Sequence, residues 1–171
     1  MKLSTLLATI VTLAGLTVLA QAEPLAVGAP APDVSSVDQN GKAVNFKDVY
    51  AKGPTLVYFY PKADTGGCTK QGCSIRDSWG DLQKAGIQVL GVSVDSVDAQ
   101  KKFADKNQFP FQLIADTDGK VAAAFQVDMR GKVTSRQSFL IKDGKIAWNM
   151  LKATTETHAK DVLAAYDGLK K

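Results

Sequence analysis

Two long runs of apolar residues predict buried strands in the middle of the chain. Residues 55–60 form a continuous β-branched and aromatic run, and residues 87–93 form a second run after a glycine. Apolar residues at consecutive positions are typical of strands that are covered on both faces. Between them, residues 69–84 carry apolar side chains at i, i+4 and i+7, the spacing of an amphipathic helix. The order strand, helix, strand predicts a right-handed βαβ unit.

The second half of the chain continues this alternation. Ser96 is a suitable N-cap for a helix that ends near Asn107. Asp143-Gly144 is a strong β-hairpin signal between two apolar runs. The remaining predicted elements are a strand over 112–115, a short helix over 119–125, strands over 135–141 and 146–150, and a last helix from about Thr155. Together these elements predict one α/β domain, with a central mixed β-sheet and helices on both faces.

The first 22 residues have the pattern of a secretory signal peptide. Met1-Lys2 is a short basic start, residues 3–19 are uncharged and mostly apolar, and Ala20-Gln21-Ala22 is a small-x-small cleavage motif. We therefore expect residues 1–22 to be removed, the mature domain to span 23–171, and the protein to be periplasmic or secreted. The alternative is an uncleaved membrane anchor, because the apolar stretch is nearly long enough to span a bilayer. After cleavage no membrane association is expected.

Composition and charge narrow the class of protein. The chain has 171 residues, of which 45% are hydrophobic and 22% charged, and its formal net charge is +4. These fractions are close to those of soluble globular proteins, and they exclude a collagen-like, disordered or disulfide-dense chain. The sequence contains no run of five like charges, so its basic balance does not indicate a nucleic-acid partner.

The two cysteines, Cys68 and Cys73, are the candidates for chemistry. Cys68 follows a buried strand and the pair Gly66-Gly67, and it opens the predicted helix. At that position it faces amide N–H groups without intrahelical partners and the positive end of the helix dipole. Both features favour the thiolate, which is the nucleophilic form of a cysteine. Placement alone therefore indicates a reactive sulfur.

The spacing of Cys68 and Cys73 favours a redox switch over a static crosslink. In a regular helix, residues five apart are separated by about 7.5 Å along the axis and about 140° around it, so their Cα atoms are roughly 8.7 Å apart. A disulfide requires Cα atoms within about 7 Å of each other. The two sulfurs can therefore join only if the start of the helix unwinds. As a staple, so small a loop would contribute only about 2 kcal/mol.

Other uses of the cysteines fit the sequence less well. A thioredoxin-type dithiol has two residues between its cysteines, whereas this chain has four. A structural zinc site takes four ligands, and two cysteines and one histidine are too few. That histidine, His158, is expected at the surface near the start of the last helix, so a Cys–His hydrolase is not favoured.

The segment around Cys68 resembles the active site of the peroxiredoxins, in particular the bacterioferritin comigratory protein and peroxiredoxin Q subgroup. Pro61, Thr65 and Cys68 match the family pattern Pro-x-x-x-Thr-x-x-Cys, and Cys73 matches the second cysteine of the subgroup. Residues 135–141 resemble the strand that delivers an arginine to that site. The resemblance implies a thioredoxin-like fold and a thiol peroxidase that reduces hydrogen peroxide and organic hydroperoxides.

The resemblance also implies a role for each matching residue. Cys68 attacks one oxygen of the peroxide and becomes a sulfenic acid. Arg136 holds the thiolate and the polarised oxygens, the hydroxyl of Thr65 bonds to the peroxide, and Pro61 shields the sulfur. The backbone N–H groups of Gly67 and Cys68 act as fixed donors at the helix start. Taken alone, Thr65 is also typical of a helix N-cap, and Arg136 of a half-exposed strand residue.

In the same resemblance Cys73 is the resolving cysteine, which forms the Cys68–Cys73 disulfide that a separate thioredoxin-like dithiol protein reduces. No metal or organic cofactor is implied, and the subgroup suggests a monomer or a weak dimer. Gly66 is a departure, because the family usually has proline there; glycine leaves the loop backbone freer.

Two alternatives to a peroxidase remain at this point. The first keeps the fold and makes the protein a thioredoxin-like thiol–disulfide exchanger or redox sensor that acts on other proteins. The second is a non-enzymatic binding or structural domain with an incidental disulfide. The spacing of the cysteines, together with Thr65 and Arg136, favours the peroxidase.

Overall fold

The computed structural model of the chain describes residues 25–170, so the predicted signal peptide lies outside the described residues. The strands are β1 (Ser35–Asp38), β2 (Ala43–Asn45), β3 (Thr55–Phe59), β4 (Gln88–Ser93), β5 (Gln112–Ala115), β6 (Met129–Arg130), β7 (Val133–Thr134), β8 (Ser138–Lys142) and β9 (Lys145–Met150). The helices are α1 (Phe46–Tyr50), α2 (Gly66–Asp77), α3 (Trp79–Lys84), α4 (Val97–Asn107), α5 (Lys120–Ala124) and α6 (His158–Gly168).

Within residues 25–170, seven strands form one mixed sheet in the order β2-β1-β5-β4-β3-β8-β9, and β6 and β7 form a separate hairpin. β3 is parallel to β4, with Thr55 opposite Gln88, and antiparallel to β8, with Thr55 opposite Ile141. β4 is in turn parallel to β5. The predicted βαβ unit is therefore confirmed, and β3 is an interior strand of the sheet, between β4 and β8. The segment that contains Cys68 leaves from the carboxyl end of β3.

Helices cover both faces of the sheet, as predicted. On one face Leu56 and Tyr58 of β3 join a core with side chains of α2, α3, α4 and α6. On the other face Val57 and Phe59 join a core with side chains of α1 and α5. All five β3 side chains are buried, because successive residues of a strand point to opposite faces and each face is covered. This double coverage explains the continuous apolar run in the sequence.

Two local signals in the sequence are confirmed. The hydroxyl of Ser96 accepts a hydrogen bond from the N–H of Ala99 at 3.3 Å, so Ser96 is the N-cap of α4. Asp143 and Gly144 have φ angles of +53° and +72° in the turn between β8 and β9. Positive φ at both central residues is what a two-residue type I′ hairpin turn requires, and glycine adopts it without a steric penalty.

The helix predicted over 69–84 is two helices. The first begins earlier, at Gly66, and Ser78 ends it with a backbone conformation (φ −103°, ψ 14°) outside the helical region. The second helix follows directly at Trp79. Ile75 and Leu82, on either side of the break, are both buried in the same core. The periodicity did not reveal the break because the apolar spacing continues through it.

Other boundaries also differ from the sequence prediction. β8 begins at Ser138, not at 135, and the last helix begins at His158, not near Thr155. β1, β2 and α1 were not predicted, because these elements are short and β1 and β2 bury few side chains. No helix within residues 25–170 is long and apolar enough to cross a bilayer.

Candidate active site

The loop from β3 to α2 is anchored to the neighbouring α4 region. The backbone N–H of Ala63 donates to Oδ2 of Asp95 at 2.7 Å. Asp64 has a φ of +56°, a left-handed conformation that aspartate tolerates better than most residues. Its carboxylate forms an exposed ion pair with Lys106 at 2.8 Å, which contributes little by itself. These contacts direct residues 60–65 toward the start of α2.

Thr65 occupies the N-cap position of α2 without capping it through its side chain. Its backbone is extended (φ −100°, ψ 153°), and its hydroxyl makes no hydrogen bond to the first turn. The hydroxyl instead donates to the carbonyl oxygen of Lys62 at 3.0 Å. Because the single hydroxyl hydrogen is used in this way, the lone pairs of Oγ1 remain available to accept a hydrogen bond from another group.

Cys68 is the third residue of α2, and only 2% of its surface is exposed. The N–H groups of Gly67 and Cys68 lie in the first turn, where helix geometry supplies no carbonyl four residues back. The sulfur is therefore close to the positive end of an intact 12-residue helix. This placement agrees with the sequence prediction that Cys68 opens a helix.

Arg136 reaches the sulfur from the segment that precedes β8. Its Nη2 lies 3.4 Å from Sγ of Cys68, and its Nη1 donates to Oε1 of Gln71. A Cβ atom at Gly67 would lie only 3.2 Å from Nη2, so glycine leaves the space that the guanidinium occupies. The structure thus brings together Cys68 and Arg136, which are 68 residues apart in sequence.

Gln71 continues this contact into the protein interior, a connection that the sequence did not suggest. Its Nε2 lies 3.2 Å from Nδ1 of His158, and Nε2 of His158 lies 2.8 Å from the hydroxyl of Ser138. Gln71, His158 and Ser138 are each completely buried. A chain of buried polar groups therefore runs from the guanidinium beside Cys68 to the first residue of β8.

The prediction that His158 lies at the surface is wrong. The imidazole is fully buried between α2 and β8, with the ring of Tyr58 edge-on at 5.6 Å between centroids. Burial lowers the pKa of His158 to about 4, with Asp161 opposing the shift and the Arg136 cation adding to it. His158 precedes the buried Val162 by four residues, so the helical spacing placed it on the apolar face of α6. That spacing was the available signal.

Cys73 lies on the same unbroken helix as Cys68, and both thiols are free. It is half-buried and packs against the core to which Cys68 belongs. The helix is packed closely at this point, since a Cβ atom at Gly72 would lie 2.4 Å from the ring of Phe109. The two cysteines are therefore held in the helical arrangement, which has to unwind before their sulfurs can meet.

Pro61 and Arg136 line a cavity of about 430 Å³ under the β6–β7 hairpin. Its charged lining consists of the basic Arg130, Arg136 and Lys152 and the acidic Asp128. Cys68 does not line this cavity; Arg136 lines it and also contacts the sulfur of Cys68. Among residues 25–170, no group of three or more His, Cys, Asp and Glu side chains is placed to hold a metal ion.

Solved structures share this architecture. Peroxidoxin BcpB from Mycobacterium tuberculosis superposes with a TM-score of 0.79 at 31% identity, covering 85% of this chain and 98% of that one. A Xanthomonas campestris peroxiredoxin Q superposes with a TM-score of 0.77 at 29% identity, covering 85% and 99%. The expected thioredoxin-like fold is thus confirmed.

Sequence relatives give the same family. Peroxiredoxin Bcp of Escherichia coli is 44% identical over 131 residues, which is 72% of this chain and 83% of the relative. Chloroplastic peroxiredoxin Q of Oryza sativa subsp. japonica is 38% identical over 124 residues, which is 71% of this chain and 57% of the relative. The AhpC/TSA family profile matches residues 27–149. The chain therefore belongs to the AhpC/TSA family, as a peroxiredoxin related to Bcp and peroxiredoxin Q, a class of thiol peroxidases.

Proposed function

We propose that the protein reduces peroxides with Cys68 as the peroxidatic cysteine and Cys73 as the resolving cysteine. The observation that carries the proposal is the guanidinium of Arg136, 3.4 Å from the sulfur of Cys68 at the first turn of α2. A fixed cation and unpaired helix amides beside one sulfur stabilise a thiolate and the negative charge that leaves it.

In the first step the Cys68 thiolate attacks the hydroxyl oxygen of a hydroperoxide, ROOH. The S–O bond forms as the O–O bond breaks, which leaves Cys68 as a sulfenic acid and releases RO⁻, and this takes a proton from solvent to give ROH. The sulfur is oxidised by two electrons and the peroxide is reduced by two. Arg136 stabilises the negative charge while that charge moves from the sulfur to the leaving oxygen. Thr65 accepts a hydrogen bond from the peroxide O–H, because its own hydrogen is donated to Lys62.

In the second step Cys73, as its thiolate, attacks the Cys68 sulfur. The S–S bond forms, the S–O bond breaks, and the departing hydroxide takes a proton to become water. Because both cysteines lie in α2, residues from Gly66 to Cys73 leave the helical conformation for this step. A dithiol protein of the thioredoxin type then reduces the disulfide by thiol–disulfide exchange, which returns α2 to its helix.

The proposed setting of this cycle is outside the cytoplasm. The support is the signal-peptide pattern of residues 1–22, which predicts export to the periplasm or beyond. The proposed working form is a monomer. N-terminal sequencing of the exported protein is expected to find a chain that begins at Glu23, whereas a chain that still begins at Met1 contradicts export by cleavage.

Stopped-flow oxidation with hydrogen peroxide, followed by intact mass measurement, tests the two cysteine roles. The reduced wild type is expected to oxidise far faster than an ordinary free thiol and to end as an intramolecular disulfide, two mass units lighter. Cys73→Ser is expected to oxidise as fast and to gain oxygen, and Cys68→Ser to lose the fast phase. Fast oxidation of Cys68→Ser contradicts the assignment.

Arg136→Lys is a sharper test of the geometry. Lysine keeps the positive charge but lacks the fork that contacts sulfur and Gln71 together, so we expect oxidation at least about 10-fold slower. An unchanged rate for Arg136→Lys means that the guanidinium is not part of the chemistry. Fast reaction with protein disulfides, combined with slow reaction with peroxide, identifies a thiol–disulfide exchanger instead.

A further inference from the structure

We propose that His158 is a positioning residue for the chemistry at Cys68, a role that rests on the function proposed above. Its ring holds Gln71, and Gln71 holds Arg136 against the sulfur. The same contacts have to release before Cys73 reaches Cys68. His158 therefore favours the first step of the cycle and restrains the second.

The donors and acceptors of these side chains determine which atom donates in each hydrogen bond. A guanidinium only donates, so Arg136 requires the oxygen of the Gln71 amide as its acceptor. The amide nitrogen of Gln71 then points to Nδ1 of His158 and donates to it at 3.2 Å. Nδ1 is consequently the unprotonated nitrogen, and the hydrogen on Nε2 is donated to the hydroxyl of Ser138 at 2.8 Å. One tautomer of a neutral imidazole serves Gln71 and Ser138 together.

Because these side chains are buried, Gln71 depends on His158 for its hydrogen-bond acceptor. Gln71, His158 and Ser138 are 0% exposed, so bulk water is not at hand to replace a lost partner. Without an acceptor at the position of Nδ1, the N–H of Gln71 is left buried and unpaired, which costs about 1–3 kcal/mol. If the Gln71 amide rotates so that its N–H finds another partner, its oxygen no longer accepts the hydrogen bond from Arg136. The guanidinium then loses the contact that aims it at Cys68.

The position of Gln71 in the sequence links the two steps. It lies between Cys68 and Cys73 on α2, within the segment that unwinds when the disulfide forms. Unwinding carries Gln71 away from both Arg136 and His158, so these contacts oppose it. Loss of the His158 acceptor is therefore expected to slow the oxidation of Cys68 and to speed the formation of the disulfide. A packing variant that lowers stability without touching the polar groups is therefore needed to separate this effect from a general loss of stability.

Two substitutions of His158 test its two ring nitrogens separately. In His158→Asn the new amide oxygen lies near the position of Nδ1 and remains an acceptor for Gln71. In His158→Gln the new amide reaches instead toward the position of Nε2 and Ser138, so Gln71 is left without an acceptor. The control is Val162→Ala, which removes buried packing one turn further along α6 without touching the chain of polar groups.

Two rates are measured in each variant. Oxidation by hydrogen peroxide is followed in a Cys73→Ser background, and disulfide formation is followed after a peroxide pulse with Cys73 present. We expect His158→Gln to oxidise about 10-fold more slowly, the equivalent of one buried hydrogen bond, and to close the disulfide faster. His158→Asn is expected to retain most of both rates. Val162→Ala is expected to lower the unfolding temperature with neither rate changed.

Equal rates in His158→Asn and His158→Gln, or a slowing of both steps in parallel, overturn the proposal. The tautomer supplies a readout that needs neither activity nor a folded variant. Because His158 is the only histidine of the sequence, its two ring nitrogens give unambiguous signals in a long-range ¹H–¹⁵N spectrum of the reduced wild type. A proton on Nε2 is expected, and a proton on Nδ1 overturns the proposal. Slow oxidation of the wild type itself contradicts the peroxidase function instead.

Discussion

Lowering the pH from 7.5 to 4.5 should destabilise this protein through one side chain, His158. Burial in the core between α2 and β8 lowers its pKa from 6.5 to about 4. Within that shift burial is the largest cause, Asp161 opposes it and the Arg136 cation adds to it, and the Tyr58 ring packs edge-on against the imidazole. The unfolded chain therefore binds a proton at about pH 6.5, whereas the folded protein does not bind it until about pH 4.

This difference in pKa determines the sign and size of the change in the free energy of unfolding. Between pH 6.5 and 4 the unfolded state binds more protons, so the free energy of unfolding falls as the pH is lowered through that window. The loss amounts to about 3 kcal/mol when complete, and to about 2.5 kcal/mol at pH 4.5. Above pH 6.5 and below pH 4, His158 contributes no further change.

Urea unfolding followed by tryptophan fluorescence measures this loss. Wild type and His158→Asn are compared at pH 7.5 and 4.5, because the carboxylates titrate alike in both and cancel in the difference. The wild type is expected to lose about 2.5 kcal/mol more than the variant on acidification. Parallel losses in the two proteins refute the reasoning, as does a native-state titration of the single histidine with a midpoint near 6.5.

Three stability predictions concern residues around α2 and α5. Gly66→Pro is expected to raise the free energy of unfolding by about 0.4–1 kcal/mol in urea titrations, and a loss of stability contradicts this. Proline fits because Gly66 is the first residue of α2, no atom crowds its Cβ position, and the residue before it is extended. Gly72→Ala is expected to lower it by about 1–2 kcal/mol, since the new Cβ lies 2.4 Å from the ring of Phe109; a thermal midpoint at or above that of the wild type rules this out. Asp116→Ala is expected to cost about 2 kcal/mol in the same assay, because its carboxylate accepts two backbone N–H groups at the start of α5, and no measurable loss shows that these bonds are replaced.

Predictions from local signals were the most successful. The N-cap at Ser96 and the turn at Asp143-Gly144 are confirmed because each depends on a few neighbouring residues and their own backbone angles. The buried strands over 55–60 and 87–93 are confirmed to within a residue at their ends, since double coverage demands continuous apolar runs. The short β1 and β2 were missed because they owe their pairing to the larger sheet and not to a pattern of their own.

At the candidate site, too, the sequence predicted local features and missed contacts between distant residues. The motif from Pro61 to Cys73 identified the family. Gln71 lies within that motif, but the sequence assigns it no function, because its contacts with Arg136 and His158 exist only in the folded protein. His158 was assigned to the surface because a histidine near a predicted helix start is usually solvated. Its spacing from Val162 was the evidence for burial.

The sequence by itself determined the order of the elements from β3 to α6 apart from the β6–β7 hairpin, the helix that begins near Cys68 and the five-residue spacing that makes the two cysteines incompatible with a disulfide in a regular helix. These features depend on backbone geometry within one or two turns. Only the tertiary structure decided that Arg136 meets the sulfur and that His158 meets Gln71. Arg136 and His158 lie 68 and 90 residues beyond Cys68, and the pairing of β3 with β8 and the packing of α6 bring them to the site. Contacts at that separation arise from burial and strand register, which no local pattern encodes.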